Sequence, residues 1–219
     1  MKRISVRGYT QVMARQIVNI IIGVSLISIV FAKSPHSFAE LLATEVAMQE
    51  AAYGEEDAPL QILEFASLGC SHCAAFHEET FPKLKSDYID KGMVRLIFND
   101  FPVSTPALAA TMIARCEGPE RYLGMVEVFF KGQKSWVGVE DVLGGLKRVA
   151  RFGGVSAADV DKCLENQSLL KAIQEKARAA EEMYKVKSTP SFVINGSTYA
   201  GNLSYEKLKK LIDDELKMQ

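Results

Sequence analysis

A chain of 219 residues, 48% hydrophobic and 24% charged, is long enough for one ordinary domain with a full core, or for a domain carrying an insertion. That composition excludes disordered and fibrous classes. With 26 Lys and Arg against 27 Asp and Glu the formal charge is −1, but Lys2, Arg3, Arg7, Arg15 and Lys33 fall in the first 39 positions, where no acid occurs, so a chain beginning at Glu40 carries −6. Such an acidic chain argues against nucleic acid as a partner, because counterion release from phosphates needs a basic face.

The basic residues before the apolar run Ile17 to Ala32, followed by Ser34, Pro35, Ser37 and Ala39, read as an export signal over 1–39. The run falls short of the roughly 20 residues of a comfortable membrane span and is interrupted by Asn19, Ser25 and Ser28, so cleavage after Ala39 is favoured over an uncleaved anchor. Met13 is a second candidate initiator. Export would place the protein in the periplasm, and all four cysteines lie beyond the signal, an even set in an oxidising compartment.

From Glu40 to Tyr53 the composition predicts a short lead-in helix, and Gly54 to Pro59 a polar linker, so that 40–57 precedes the main fold. Leu60 to Phe65 is a nearly continuous apolar strand. A helical pattern follows from Cys70 to about Lys91, with Pro82 expected to kink or interrupt it. Val94 to Phe98 is a second strand, and this β-α-β opening predicts a parallel pair. Between Pro106 and Lys185 five helices are expected, at Pro106 to Cys116, Glu120 to Lys131, Val139 to Phe152, Ala157 to Leu164 and Leu169 to Tyr184. Strands return at Ser191 to Ile194 and Ser197 to Ala200 around Asn195-Gly196, a strong hairpin signal, and Ser204 to Met218 closes as a helix. The fold class is therefore α/β, with β-α-β and β-β-α units (58–103 and 187–219) around a mixed sheet and an all-helical insertion over 104–186.

Cys70-Ser71-His72-Cys73 stands directly after the first strand and opens the helix. A thiolate at a helix N-terminus faces unsatisfied N–H groups and the positive end of the dipole, so Cys70 is the candidate nucleophile, with His72 a second stabiliser. Two residues on, Cys73 can resolve a mixed disulfide. The same residues admit other readings. Cys70, Cys73 and His77, four residues further along the helix, could hold a metal with an open position, although no four-ligand set is visible; His77 alone reads as a partly exposed helix residue. Trp136 and the scattered methionines fit helix packing better than a peptide-binding surface. Cys116 and Cys163 are either two buried thiols or a structural disulfide within the helical block, and an oxidising compartment favours the bridge.

With Thr189-Pro190-Ser191-Phe192 and Ile194-Asn195-Gly196 far downstream of the Cys70–Cys73 motif, the chain resembles the thioredoxin superfamily. The helical insertion and export signal make it similar to the DsbA family of periplasmic disulfide oxidoreductases. The resemblance covers about 58–218. It implies a thioredoxin-like fold, a cis Pro190 beside the active-site cysteines, and a backbone at Thr189 that pairs with an extended substrate. It implies a buried acid, here Glu64, six residues before Cys70, able to exchange a proton with Cys73. It also implies that Cys116 and Cys163 match the second bridge of some relatives. Ser71 stands where the most familiar pattern has proline, and with Thr189 it is a candidate substrate contact. The implied activity is disulfide donation to reduced exported proteins, with reoxidation by a quinone-linked membrane partner of the DsbB type and no cofactor; membrane contact would come only through an uncleaved N-terminal segment. The rival within the class is an isomerase or reductase, and the rival outside it is the metal-binding protein.

Overall fold

A computed structural model describes residues 42–218, so the export-signal reading of 1–39 lies outside the described residues. In chain order come α1 (Thr44–Ala47), β1 (Ala51–Tyr53), β2 (Leu60–Ala66), α2 (Ser71–Ala75), α3 (Phe81–Leu84) and β3 (Val94–Asp100). Then follow α4 (Thr105–Cys116), α5 (Pro119–Lys131), α6 (Val142–Phe152), α7 (Ala157–Glu165), α8 (Gln167–Tyr184), β4 (Ser191–Ile194), β5 (Ser197–Ala200) and α9 (Tyr205–Lys217). The strands form one sheet in the order β1-β3-β2-β4-β5. Strands β2 and β3 run parallel, with Leu60 opposite Val94 and Ala66 opposite Asp100, and every other neighbouring pair is antiparallel.

Among the described residues, the expected lead-in helix is represented by the four residues of α1. Ala51, Ala52 and Tyr53 instead pair with Phe98, Ile97 and Leu96 at the edge of β3. An alanine-rich run suits a helix locally, but an open sheet edge offers this segment a ladder, and that pairing overrides the weak local preference. The helical stretch after Cys70 also differs from expectation. Pro82 does not break it but lies in the first turn of the short α3, which wider turns at Phe76–Thr80 and Lys85–Ile89 flank, and the Phe81 N–H reaches back five residues to the Phe76 carbonyl. Widening the turn next to a residue that has no N–H lets the helix continue past the proline.

Four of the five helices in the helical block start with side-chain caps. Ser104 accepts from the Ala107 N–H, Asp141 from Gly144, Ser156 from Asp159 and Asn166 from Leu169, each satisfying a donor that the first turn leaves unpaired. Alternation along the strands divides the packing. Leu60, Ile62, Val94 and Leu96 bury against Phe76, Phe81, Leu84 and the α9 residues Leu208 and Ile212. Phe65 and Val193, on the other face, meet Ala180 of α8. A further core joins Ala66, Leu68, Cys73 and Phe98 to Ile113, Tyr122, Phe129, Trp136 and Leu146, so the second motif cysteine is packed against the helical block.

Arg115, fully buried, fastens these parts together. Its Nε donates to Asp100 at 2.8 Å, its Nη1 to the carbonyls of Ala47 and Gln49, and its guanidinium lies 3.6 Å from the centre of the Tyr122 ring. A buried cation needs this degree of pairing to offset its lost hydration.

Candidate active site

Cys70 is the extended residue immediately before α2, and Cys73 falls in the first turn. The preceding loop is drawn tight: the Cys70 N–H donates to the Ser67 carbonyl at 3.0 Å, and Gly69 brings the start of α4 and the Trp136 ring close, since a Cβ there would lie 3.1 Å from that of Ala107 and 3.7 Å from Trp136 Cη2. Gln133, between α5 and α6, donates from Nε2 to the carbonyls of Leu68 at 2.7 Å and Cys70 at 3.1 Å. The helical block thereby holds the backbone that presents the first cysteine. Sequence reading missed Gln133, and no local signal marks it, because its partners lie 63 and 65 residues away.

The two thiols differ sharply. Cys70 is half-buried and Cys73 buried. A hydrogen bond from the Cys73 thiol is the main influence holding Cys70 down to about 5; the Thr189 hydroxyl and the backbone N–H groups of Cys73 and His72 reinforce it against partial burial. Burial pushes Cys73 far up instead, assisted by its bond to Cys70 and by the charge of Glu64. His72 is exposed, and what it supplies to Cys70 is its backbone N–H, where sequence reading had looked to the ring. Ser71 is exposed beside it.

The Thr189-Pro190 bond is cis, and this loop comes from the far end of the chain to lie against the motif. The Cys70 thiol donates to the Thr189 carbonyl at 3.3 Å, across 119 residues of sequence. The Pro190 carbonyl is held by the Gly201 N–H at 2.8 Å, and the Ser191 hydroxyl donates to the Ser188 carbonyl, so both sides of the loop are anchored. The structure thus brings together Cys70, Cys73, Thr189 and Pro190.

Glu64 is fully buried in β2, on the same face as Ile62, and its strand pairs with both β3 and β4. Two expectations about its surroundings change. His77 is partly exposed as a residue, but its side chain is only 5% exposed and turns inward, with Nε2 2.9 Å from Glu64 Oε1. Its ring stacks on Phe130 at 4.7 Å and meets Phe76, Phe81 and Phe98. The strand alternation points Glu64 toward the 71–89 helix, and a ring one turn beyond Cys73 is the polar group that can meet it. The metal reading of Cys70, Cys73 and His77 also loses its geometry, for His77 is engaged with Glu64, and among the described residues no three His, Cys, Asp or Glu side chains converge as a ligand set. Cys116 and Cys163 are joined as a disulfide between α4 and α7, remote in sequence from the motif, with Cα atoms 6.0 Å apart.

A parallel β2–β3 pair, an antiparallel hairpin after a cis-proline, and a Cys-x-x-Cys pair at the helix start beside that proline together define a thioredoxin fold with a helical insertion. Residues 47–214 match the family described as thioredoxin, and the chain belongs to it. Among solved structures, alpha-DsbA1 of Wolbachia pipientis superposes with a TM-score of 0.71 at 26% identity, covering 78% of this chain and 96% of that one. BdbD of Bacillus subtilis in its oxidised form, at 22% identity and a TM-score of 0.67 over 77% of this chain and 93% of its own, shares the fold. A Rickettsia bellii protein named as a protein-disulfide oxidoreductase is 27% identical over 161 residues, 73% of this chain; the present chain spans 62% of that relative's length. Disulfide bond formation protein D of Bacillus subtilis is 25% identical over 173 residues, 75% of this chain and 76% of its own.

Proposed function

We propose that this protein is a DsbA-type thiol–disulfide oxidoreductase that donates the Cys70–Cys73 disulfide to reduced exported proteins in the periplasm. The observation carrying this reading is the division of labour between a reachable Cys70 with a strongly favoured thiolate and a sealed Cys73 whose thiol is favoured. In the oxidising direction, a substrate thiolate attacks Cys70 Sγ, the Cys70–Cys73 bond breaks, and its electron pair goes to Cys73, which is then protonated. A second substrate thiolate attacks the mixed disulfide at the substrate sulfur and expels Cys70. Because the Cys70 thiolate is stabilised it is a good leaving group, which favours release of oxidised substrate. Once Cys70 has given up its proton the Thr189 carbonyl is free to accept an N–H from an extended substrate strand, and Pro190, lacking an N–H, leaves that edge uncongested. Ser71 and His72 line the exposed approach.

Reoxidation falls to a quinone-linked membrane partner of the DsbB type; among the described residues no helix is long and apolar enough to cross a membrane. Glu64 is the candidate proton donor to Cys73, and the Cys116–Cys163 bridge a structural brace. Equilibration of the purified protein against glutathione buffers tests the proposal. A couple well above that of thioredoxin, about −270 mV, is expected; a couple as reducing as thioredoxin would reassign the protein to the reductases.

A further inference from the structure

Cys73 is fully buried, yet each turnover must give its sulfur a proton and later remove it. Glu64 is equally sealed, so on its own it can deliver one proton but has no contact with water from which to recover it. His77 is bonded to Glu64 Oε1 at 2.9 Å through Nε2, and its side chain retains 5% exposure where Glu64 has none. Glu64 Oε2 and His77 Nδ1 are both buried and without a hydrogen-bond partner, which leaves one free atom on each side of the pair. Such orphaned polar atoms are uncommon in a folded interior and invite a functional account.

We propose that His77 is the positioning residue of a buried proton relay in which Glu64 exchanges a proton with Cys73 while the His77 imidazole holds the carboxyl in place and replenishes it. This inference deepens the oxidoreductase reading and rests on it. When a substrate thiolate breaks the Cys70–Cys73 disulfide, the Cys73 thiolate takes the proton that Glu64 and His77 share, leaving a Glu64 carboxylate beside a neutral imidazole. A proton then reloads the pair at the free His77 Nδ1, which is itself buried, so that reloading requires a transient opening of the packing around the ring. Reoxidation runs the same transfers in reverse. No electron passes through the pair, and the two protons of the substrate dithiol are balanced by one on Cys73 and one released to solvent while Cys70 stays a thiolate.

Imidazole is suited to the task because it has two ring nitrogens, so that one can hold the carboxyl while the other takes up or releases a proton. The other titratable groups around it are few. Tyr53, on β1, packs its ring 4.6 Å from that of Phe81 and has a buried, unpartnered hydroxyl, while Glu127, on α5, acts on Tyr53 together with Glu64 and is paired with Lys131 at 3.2 Å. The remaining neighbours, Phe76, Phe81, Phe98 and Phe130, carry no proton to exchange.

The test compares wild type with His77→Gln, which keeps a polar partner for Glu64, and His77→Phe, which keeps the aromatic packing. Reduction of the oxidised protein by dithiothreitol is followed between pH 5.5 and 8 in H2O and D2O, and the Cys70 thiolate is titrated separately by ultraviolet absorbance. Both variants should react at least about 10-fold more slowly, with the pH-dependent limb flattened and the solvent isotope effect changed, while the Cys70 titration stays in place. A folded variant that tracks wild type at every pH overturns the relay. Nitrogen-15 spectra of the wild-type imidazole provide a measurement independent of variant folding: the His77 resonances should shift between the oxidised and reduced forms, and redox-independent resonances overturn the proposal. Failure of wild type to exchange with dithiols at all would overturn the oxidoreductase reading itself, an outcome distinct from either.

Discussion

A two-residue spacing places both sulfurs at one helix terminus, but their surroundings make them different reagents. Cys70 receives hydrogen bonds that favour its thiolate, and Cys73 is desolvated. Cys73→Ala is therefore expected to accumulate mixed disulfides when offered disulfide-bonded substrates, because its Cys70 thiolate attacks the substrate disulfide and expels one substrate thiolate while no Cys73 thiol is present to resolve the adduct. Cys70→Ser should abolish them, and non-reducing electrophoresis after acid quenching reads both outcomes; adducts persisting in Cys70→Ser would reverse the assigned roles. The identities of these two residues and of Thr189-Pro190 were legible in sequence because their chemistry depends on short spacings and on proline geometry. The His77 partnership was not. It joins residues 13 apart on a strand and a helix, and only the packing of the 71–89 segment on the sheet sets which face His77 presents.

At the scale of elements, strands and helices bounded by caps, prolines and glycines were readable to within a few residues, from Ser104 and Ser156 at helix starts to the Asn195-Gly196 hairpin. The edge strand β1 was not, since three residues of modest strand preference gain their conformation only from the partner they find. The helical block is tied to the active-site loop by Gln133 and braced internally by Cys116–Cys163, which closes a span of 47 residues between α4 and α7. Removing that cross-link enlarges the unfolded ensemble and leaves the motif untouched. Cys116→Ala should thus lower stability to denaturant by about 2–4 kcal/mol while retaining dithiol oxidation. Non-reducing peptide mapping of the purified protein should recover Cys116 linked to Cys163; free thiols at both positions would remove the brace.

Across the whole molecule, the local preference for a Cys70 thiolate becomes a global difference in stability between redox forms. A thiol whose ordinary value lies near 8.5 is held at about 5 in the folded, reduced protein. Depression of a folded-state value means that the unfolded chain binds more protons, so the contribution to stability is complete above the ordinary thiol range and shrinks as pH falls toward 5. The oxidised protein has no Cys70 thiolate and lacks this term, and Cys73, pushed upward, remains a thiol throughout the window. Subtracting the two forms cancels groups that titrate alike in both. Solvent screening at the half-buried Cys70 reduces the magnitude but leaves the sign unchanged. Denaturant unfolding of reduced and oxidised protein between pH 4 and 8 should then show the reduced form gaining on the oxidised form as pH rises, with the difference levelling off below about 5. A difference independent of pH would mean that the thiolate does not contribute to the balance between redox forms, and a slope of opposite sign would place the stabilised charge in the wrong redox state for the proposed oxidant.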